Sequence, residues 1–206
     1  MQFFEDLKKA DLVLGSQSPR RRDLLQMAGL PFRVWVLPAG EEEFPPDMPP
    51  EDVSLFLARQ KAKPYQTHLT PQTLLITADT IVVKDHHILN KAANPSHARA
   101  MLELLSGQVH KVITGVCLSC AGQQHAFSET TLVKFAPLSP EEINHYIDTC
   151  QPFDKAGAYG IQEWIGAVGV ESIEGSYHNV VGLPVAKLYK ELKKFFYEHF
   201  QQAHKE

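Results

Sequence analysis

A short apolar run, Leu12-Val13-Leu14, leads into Gly15-Ser16-Gln17-Ser18-Pro19-Arg20-Arg21-Arg22, and then Leu24, Leu25 and Ala28 recur at the spacing of one helical face. That order dictates a strand, a tight loop and a helix. Ser18 supplies the oxygen of an N-cap, and Pro19 suits the first helical position, where a missing N–H and a fixed φ cost nothing. The arginines that follow oppose the helix dipole, which favours anions at this end, at roughly 0.3–1 kcal/mol each. Two readings fit. A phosphate can offset the charge, taking bonds from free backbone N–H groups and guanidinium forks together. Alternatively the turn is a solvated basic surface whose Arg stems cover apolar atoms.

The bulk properties narrow the choice of anion. A chain of 206 residues, 44% of them hydrophobic, can bury one sizeable core and reads as one domain, divisible into two lobes. A net charge of −4 gives no general attraction to nucleic acid or to a membrane surface, so an anion site must come from local clustering. A small polyanion fits better than DNA. No secretory h-region opens the chain and no apolar run is long enough to span a bilayer, which predicts a cytoplasmic protein. Three cysteines, an odd number, argue against a disulfide framework. Cys117 and Cys120 match C-x-x-C but lie in an extended apolar run and read as strand packing. The histidines form no H-E-x-x-H, and no second cysteine pair completes a zinc set.

Along the chain, Phe32–Leu37 reads as a second strand, and the acidic, Pro-rich stretch Glu41–Pro50 as a loop. A helix is expected from about Glu51 to the residues before Pro64. Two apolar runs, Leu74–Ile76 and Ile81–Val83, are interrupted by Ala78-Asp79-Thr80, which places an acid between two buried-looking strands. A hairpin turn at Lys84–His87 precedes Asn90-Lys91, and Asn94-Pro95 opens a helix that ends at Gly107. Val109–Cys120 and Phe127–Phe135 alternate as two long antiparallel strands joined near Gly122. Ser139-Pro140-Glu141-Glu142 is a capping box for a helix to about Thr149. Strand-like Val168–Ile173 and a loop at Gly175–His178 precede a last helix from Gly182-Leu183-Pro184 to about Phe200, with a fraying tail from Gln201. The mix predicts an α/β protein with a mixed, long-stranded sheet.

Neither a P-loop nor a strand–Gly-x-Gly-x-x-Gly–helix unit is present, so phosphate must be handled another way. Arg20, Arg21, Lys61, Lys91 and Lys155 are cations at loops or element ends, and Glu42, Asp79 and Asp154 are carboxylates in similar places. That inventory suits a triphosphate with a divalent metal: cations clamp its oxygens, and carboxylates hold Mg²⁺ or take a proton from water. In Phe153–Gln162, small residues allow close approach of the backbone to a ligand.

Ser16-Gln17-Ser18-Pro19-Arg20-Arg21, Ala78-Asp79-Thr80, Asp154-Lys155-Ala156-Gly157-Ala158-Tyr159-Gly160-Ile161-Gln162 and Val180-Val181-Gly182-Leu183-Pro184 resemble, in order, the motifs of the Maf family. These are nucleoside triphosphate pyrophosphatases first named as septum-formation inhibitors. The resemblance runs from about Leu12 to the last helix. It implies an elongated mixed β-sheet flanked by helices, an α/β fold akin to inosine triphosphate pyrophosphatases, forming a single domain over residues 1–206 with the site in the cleft of its two lobes. It also implies a cytoplasmic, divalent-metal-dependent enzyme using Mg²⁺ or Mn²⁺, usually a homodimer, that cleaves a nucleoside triphosphate to monophosphate and pyrophosphate.

By motif position, Asp79 matches the family's proton acceptor, and Arg20, Thr80 and Gln162 match the positions that mark the dTTP/UTP branch. Ser18, with Arg20, Arg21, Lys61, Lys91 and Lys155, falls to phosphate binding. Glu42, flanked by Glu41 and Glu43, and Asp79 fall to the metal. The chain departs from the family where Ala92 follows Lys91 in place of proline, and where Glu163 and Trp164 follow Gln162 in place of glycine. The rival readings are cleavage of CTP or another nucleotide, and a nucleotide-sensing regulator of division with little turnover. A sensor has use for the arginines but none for Asp79 as a base.

Overall fold

The computed structural model describes residues 2–38 and 43–200. The expected metal ligand Glu42 and the tail from Gln201 lie outside the described residues. In chain order the elements are α1 (Gln2–Leu7), β1 (Asp11–Leu14), α2 (Pro19–Met27), β2 (Arg33–Val34), α3 (Pro50–Ala62), β3 (Thr73–Lys84), β4 (His87–Leu89), α4 (Pro95–Leu105), β5 (Val109–Cys120), β6 (Gln123–Phe135), α5 (Pro140–Cys150), α6 (Trp164–Gly169), β7 (Val170–Glu174), α7 (Tyr177–Val181) and α8 (Val185–Phe195). One seven-stranded sheet runs β2-β1-β3-β5-β6-β7, with β4 also on β3. Its ladders are parallel at β1–β2 and β1–β3 and antiparallel at β3–β4 and β6–β7, so the sheet is mixed and flanked by helices as expected.

Local chemistry sets the helix starts. Ser18, Asn94 and Ser139 each accept a bond from a first-turn backbone N–H, and Ser139 with Glu142 completes the capping box. Asp85 and His86 take φ of 46° and 68°, the two left-handed residues of a tight β3–β4 hairpin.

Four expectations are corrected. The second strand shrinks to Arg33–Val34. The runs flanking Asp79 are one continuous strand, β3, with Thr77 bonding the Ala58 carbonyl at 2.7 Å, so Asp79 sits mid-strand and not between strands. Val168 belongs to helix α6, whose Ile165 is buried, and the strand begins only at Val170. The loop after Gly175 contains helix α7, anchored by Asn179, which donates to the Val112 carbonyl and to Thr131 at 3.0 Å each.

The chain forms two compact units, whose boundaries fall inside β3, β5 and β6 and at the end of α7. The first comprises Met1–Asp79, Thr114–Glu129 and Gly182–Glu206; part of its core is Val13, Ala58, Ala62, Tyr65, Leu75 and Cys117. The second comprises Thr80–Ile113 and Thr130–Val181, and its core joins α4 and α5 through Met101, Leu102, Leu105, Ile143, Tyr146 and Ile147. Cys117 and Cys120 are free thiols buried in β5, as strand packing requires.

Candidate functional site

The loop after β1 folds as its residues demand. Ser18 caps α2 by accepting from the Arg21 N–H, and Pro19 is the first helical residue. Arg21 turns back from the helix, donating through Nε to the Gly182 carbonyl at 2.9 Å and through Nη1 to Ser16 Oγ at 3.3 Å. The positive charge at this helix start is thus met partly from within, because a carbonyl oxygen and a hydroxyl supply the partial negative charge that the dipole argument requires. Arg20 is half-buried beside it.

Asp79, buried in β3, forms an ion pair with Lys61 of α3 at 2.5 Å, and only 9% and 19% of the two side chains are exposed. The carboxylate expected to take a proton from water is therefore already engaged by a lysine. Lys61 is the lysine drawn from the last turn of α3, where the helix dipole also favours a cation. Thr80 follows on the opposite face of the strand and is half-buried.

In the second unit, residues 155–163 form a closed loop. Ala156 bridges Lys91, and the Gly157 N–H donates to the Leu89 carbonyl at 2.9 Å. Gly157 has φ +67°, and a Cβ there would lie 3.0 Å from Val82, so the small residues of this motif admit the strand below them. Lys155, with 9% of its side chain exposed, pairs with Asp154 at 2.7 Å and Glu163 at 2.9 Å. Gln162 and Lys91 are exposed. Of the expected site residues, then, Ser18, Arg20, Arg21, Lys61 and Asp79 belong to the first unit, and Thr80, Lys91, Lys155 and Gln162 to the second.

A family model described as Maf-like protein matches residues 11–195. The chain belongs to the Maf family. Curated relatives include a protein of Phocaeicola vulgatus, 51% identical over 92% of this chain and 98% of its own, and one of Porphyromonas gingivalis, 49% identical over 93% and 97%. A third, from Bacteroides fragilis, is 50% identical over 92% and 98%. All three are named dTTP/UTP pyrophosphatase. Among solved structures, a HAM1 protein from Coxiella burnetii is similar over 92% of this chain and 99% of that one, with 14% identity and a TM-score of 0.48.

The Maf motifs alone did not point to Tyr146 or Glu163. The Tyr146 hydroxyl donates to Glu163 Oε2 and accepts the Gly160 N–H at 2.9 Å. Burial first, and then the bond to the Glu163 carboxylate, push this phenol above its ordinary range, which keeps it a donor. The sequence signal for this pair was limited to the capping box that starts α5 and so orients Tyr146. Among the described residues no group of three or more His, Cys, Asp or Glu side chains could hold a metal. Mg²⁺ on a nucleotide uses one or two carboxylates with phosphate oxygens and water, and Asp79, an oxygen donor with 9% of its side chain exposed, fits as one such carboxylate.

Proposed function

We propose that this protein hydrolyses dTTP and UTP between the α and β phosphates, releasing nucleoside monophosphate and pyrophosphate. What carries the reading is the roughly 50% identity, over more than nine-tenths of each chain, to proteins named dTTP/UTP pyrophosphatase. The geometry supports it with a carboxylate held mid-strand, Asp79, beside Thr80 and paired with a lysine.

In this reading Asp79 takes a proton from water, the water oxygen bonds to the α-phosphorus, and the bond from that phosphorus to the bridging oxygen breaks, so that pyrophosphate leaves. Lys61 orients the carboxylate until triphosphate oxygens compete for its ammonium. Arg20, Arg21 and the capped start of α2 with Ser18 bind phosphate oxygens, as do Lys91 and Lys155. Gln162, Thr80 and Arg20 read the base: uracil and thymine present an N3–H donor beside an O4 acceptor, and a glutamine amide answers both. Mg²⁺ or Mn²⁺, held by Asp79 with Glu42 and the substrate's own oxygens, would neutralise charge on the triphosphate. The resemblance to the family supports a cytoplasmic homodimer.

The test is kcat/KM over a panel of dTTP, UTP, CTP, dATP and GTP with Mg²⁺, scored by pyrophosphate release. Preference for dTTP and UTP is expected. Equal turnover of all five, or none of any, overturns the assignment.

A further inference from the structure

The Glu163 carboxylate is divided between two partners. Oε1 lies 2.9 Å from Lys155 Nζ, at the start of the loop, and Oε2 accepts from the Tyr146 phenol. The phenol oxygen in turn accepts the Gly160 N–H at 2.9 Å. Tyr146 is fully buried on α5, an element anchored in the second unit's core, so Gly160 and Glu163 are tied to a fixed post, and Lys155 is held to it through Glu163. The space for this arrangement is made by Gly160: a Cβ there would stand 2.8 Å from Glu163 Cδ and 3.0 Å from Gln162 Nε2. The same opening thus seats the Glu163 carboxylate and the side-chain amide of Gln162. The Glu163 carbonyl also accepts the Gly166 N–H at 3.0 Å, opening α6.

We infer that Glu163 is a positioning residue for the reaction: its carboxylate, shared between Lys155 and Tyr146, fixes the Lys155 ammonium and the turn that carries Gln162. Lys155 and Gln162 bear on catalysis through the dTTP/UTP reading above, on which this role rests. A lysine side chain has many rotamers and a compact, mobile charge, and a long acidic side chain clamped at its other oxygen removes that freedom before substrate arrives. Asp154, exposed and next in sequence, pairs with the same ammonium at 2.7 Å.

Glu163→Gln, Tyr146→Phe and the double variant test this against wild type, by dTTP steady-state kinetics, by melting temperature, and by acylation of Lys155 with a low dose of an amine-reactive ester read by peptide mass spectrometry. Gln keeps the size and the acceptor that the phenol needs but loses the charge facing Lys155. For Glu163→Gln the expectation is a melting temperature near wild type, Lys155 acylated severalfold faster, and kcat/KM lowered on the order of 10–100-fold, mostly through KM. Tyr146→Phe leaves the Lys155–Glu163 pair, so Lys155 acylation stays slow while preference for dTTP over dATP narrows. If Tyr146→Phe does not fold, Glu163→Gln decides alone. Wild-type kinetic constants in folded Glu163→Gln, or an unchanged Lys155 acylation rate, overturn the positioning role. An inactive wild type overturns the hydrolase reading instead, so the two failures are distinct.

Discussion

His110 makes the stability of the second unit sensitive to acid. It is 2% exposed on β5, with Nε2 2.8 Å from the Tyr159 hydroxyl and its ring edge-on to Phe135 and Tyr159. Burial, and secondarily the Lys84 cation, lower its pKa from 6.5 to about 4. Above pH 6.5 the imidazole is neutral both folded and unfolded, and it contributes no pH dependence. As pH falls from 6.5 towards 4 the unfolded chain binds a proton that the native protein refuses, so stability drops through that window and levels off below it. The full drop from this one group is about 3 kcal/mol. His110→Phe removes the titration and the buried Nδ1 that lacks a partner, at the expense of the Tyr159 bond, worth about 1–3 kcal/mol at every pH. Urea unfolding of both proteins at pH 7.5, 6, 5 and 4.5 gives the comparison. The variant should start less stable and lose less on acidification, its curve flatter by about 2–3 kcal/mol. Parallel curves would mean that His110 already carries a proton in the native protein or is reached by water, and the reasoning fails.

Asp79→Asn should keep the fold and lose about 10²–10⁴-fold in turnover, measured as pyrophosphate release beside a circular dichroism melt. Near-normal activity reduces Asp79 to a structural partner of Lys61. Arg21→Ala removes the bonds to Gly182 and Ser16, so urea midpoints should fall by the equivalent of about 1–2 kcal/mol while the KM for dTTP rises. A more stable variant would show that the dipole penalty outweighs those bonds. Gln162→Glu should lose dTTP and UTP turnover more than triphosphate binding, because a carboxylate cannot donate to O4, and calorimetry beside kinetics separates the two.

Features whose hydrogen bonds close within four residues were legible in the sequence. Ser18, Asn94 and Ser139 start their helices as read, and the β3–β4 turn falls where its polar residues are. What the sequence hid depends on partners distant in the chain. Asp79 reads as a strand breaker because a lone carboxylate is poorly placed in a ladder; Lys61, 18 residues earlier, provides the counter-charge that lets β3 run on. Val168 and Gly169 read as part of the strand Val168–Ile173, yet the Glu163 carbonyl and the burial of Ile165 and Gly169 hold them in helix α6. Tyr146 and Glu163 stand 17 residues apart on separate elements, and no spacing rule joins them. The residues matched to the family by motif were legible one by one. Their pairings, Lys61 with Asp79 and Lys155 with Glu163, were not.

The central claim is cleavage at the α–β anhydride, and the products of dTTP hydrolysis test it most directly. With wild-type protein and Mg²⁺, phosphorus NMR of a single time course should show dTMP and pyrophosphate growing in equal amounts with no dTDP at any point. Appearance of dTDP with orthophosphate as the first products would contradict it.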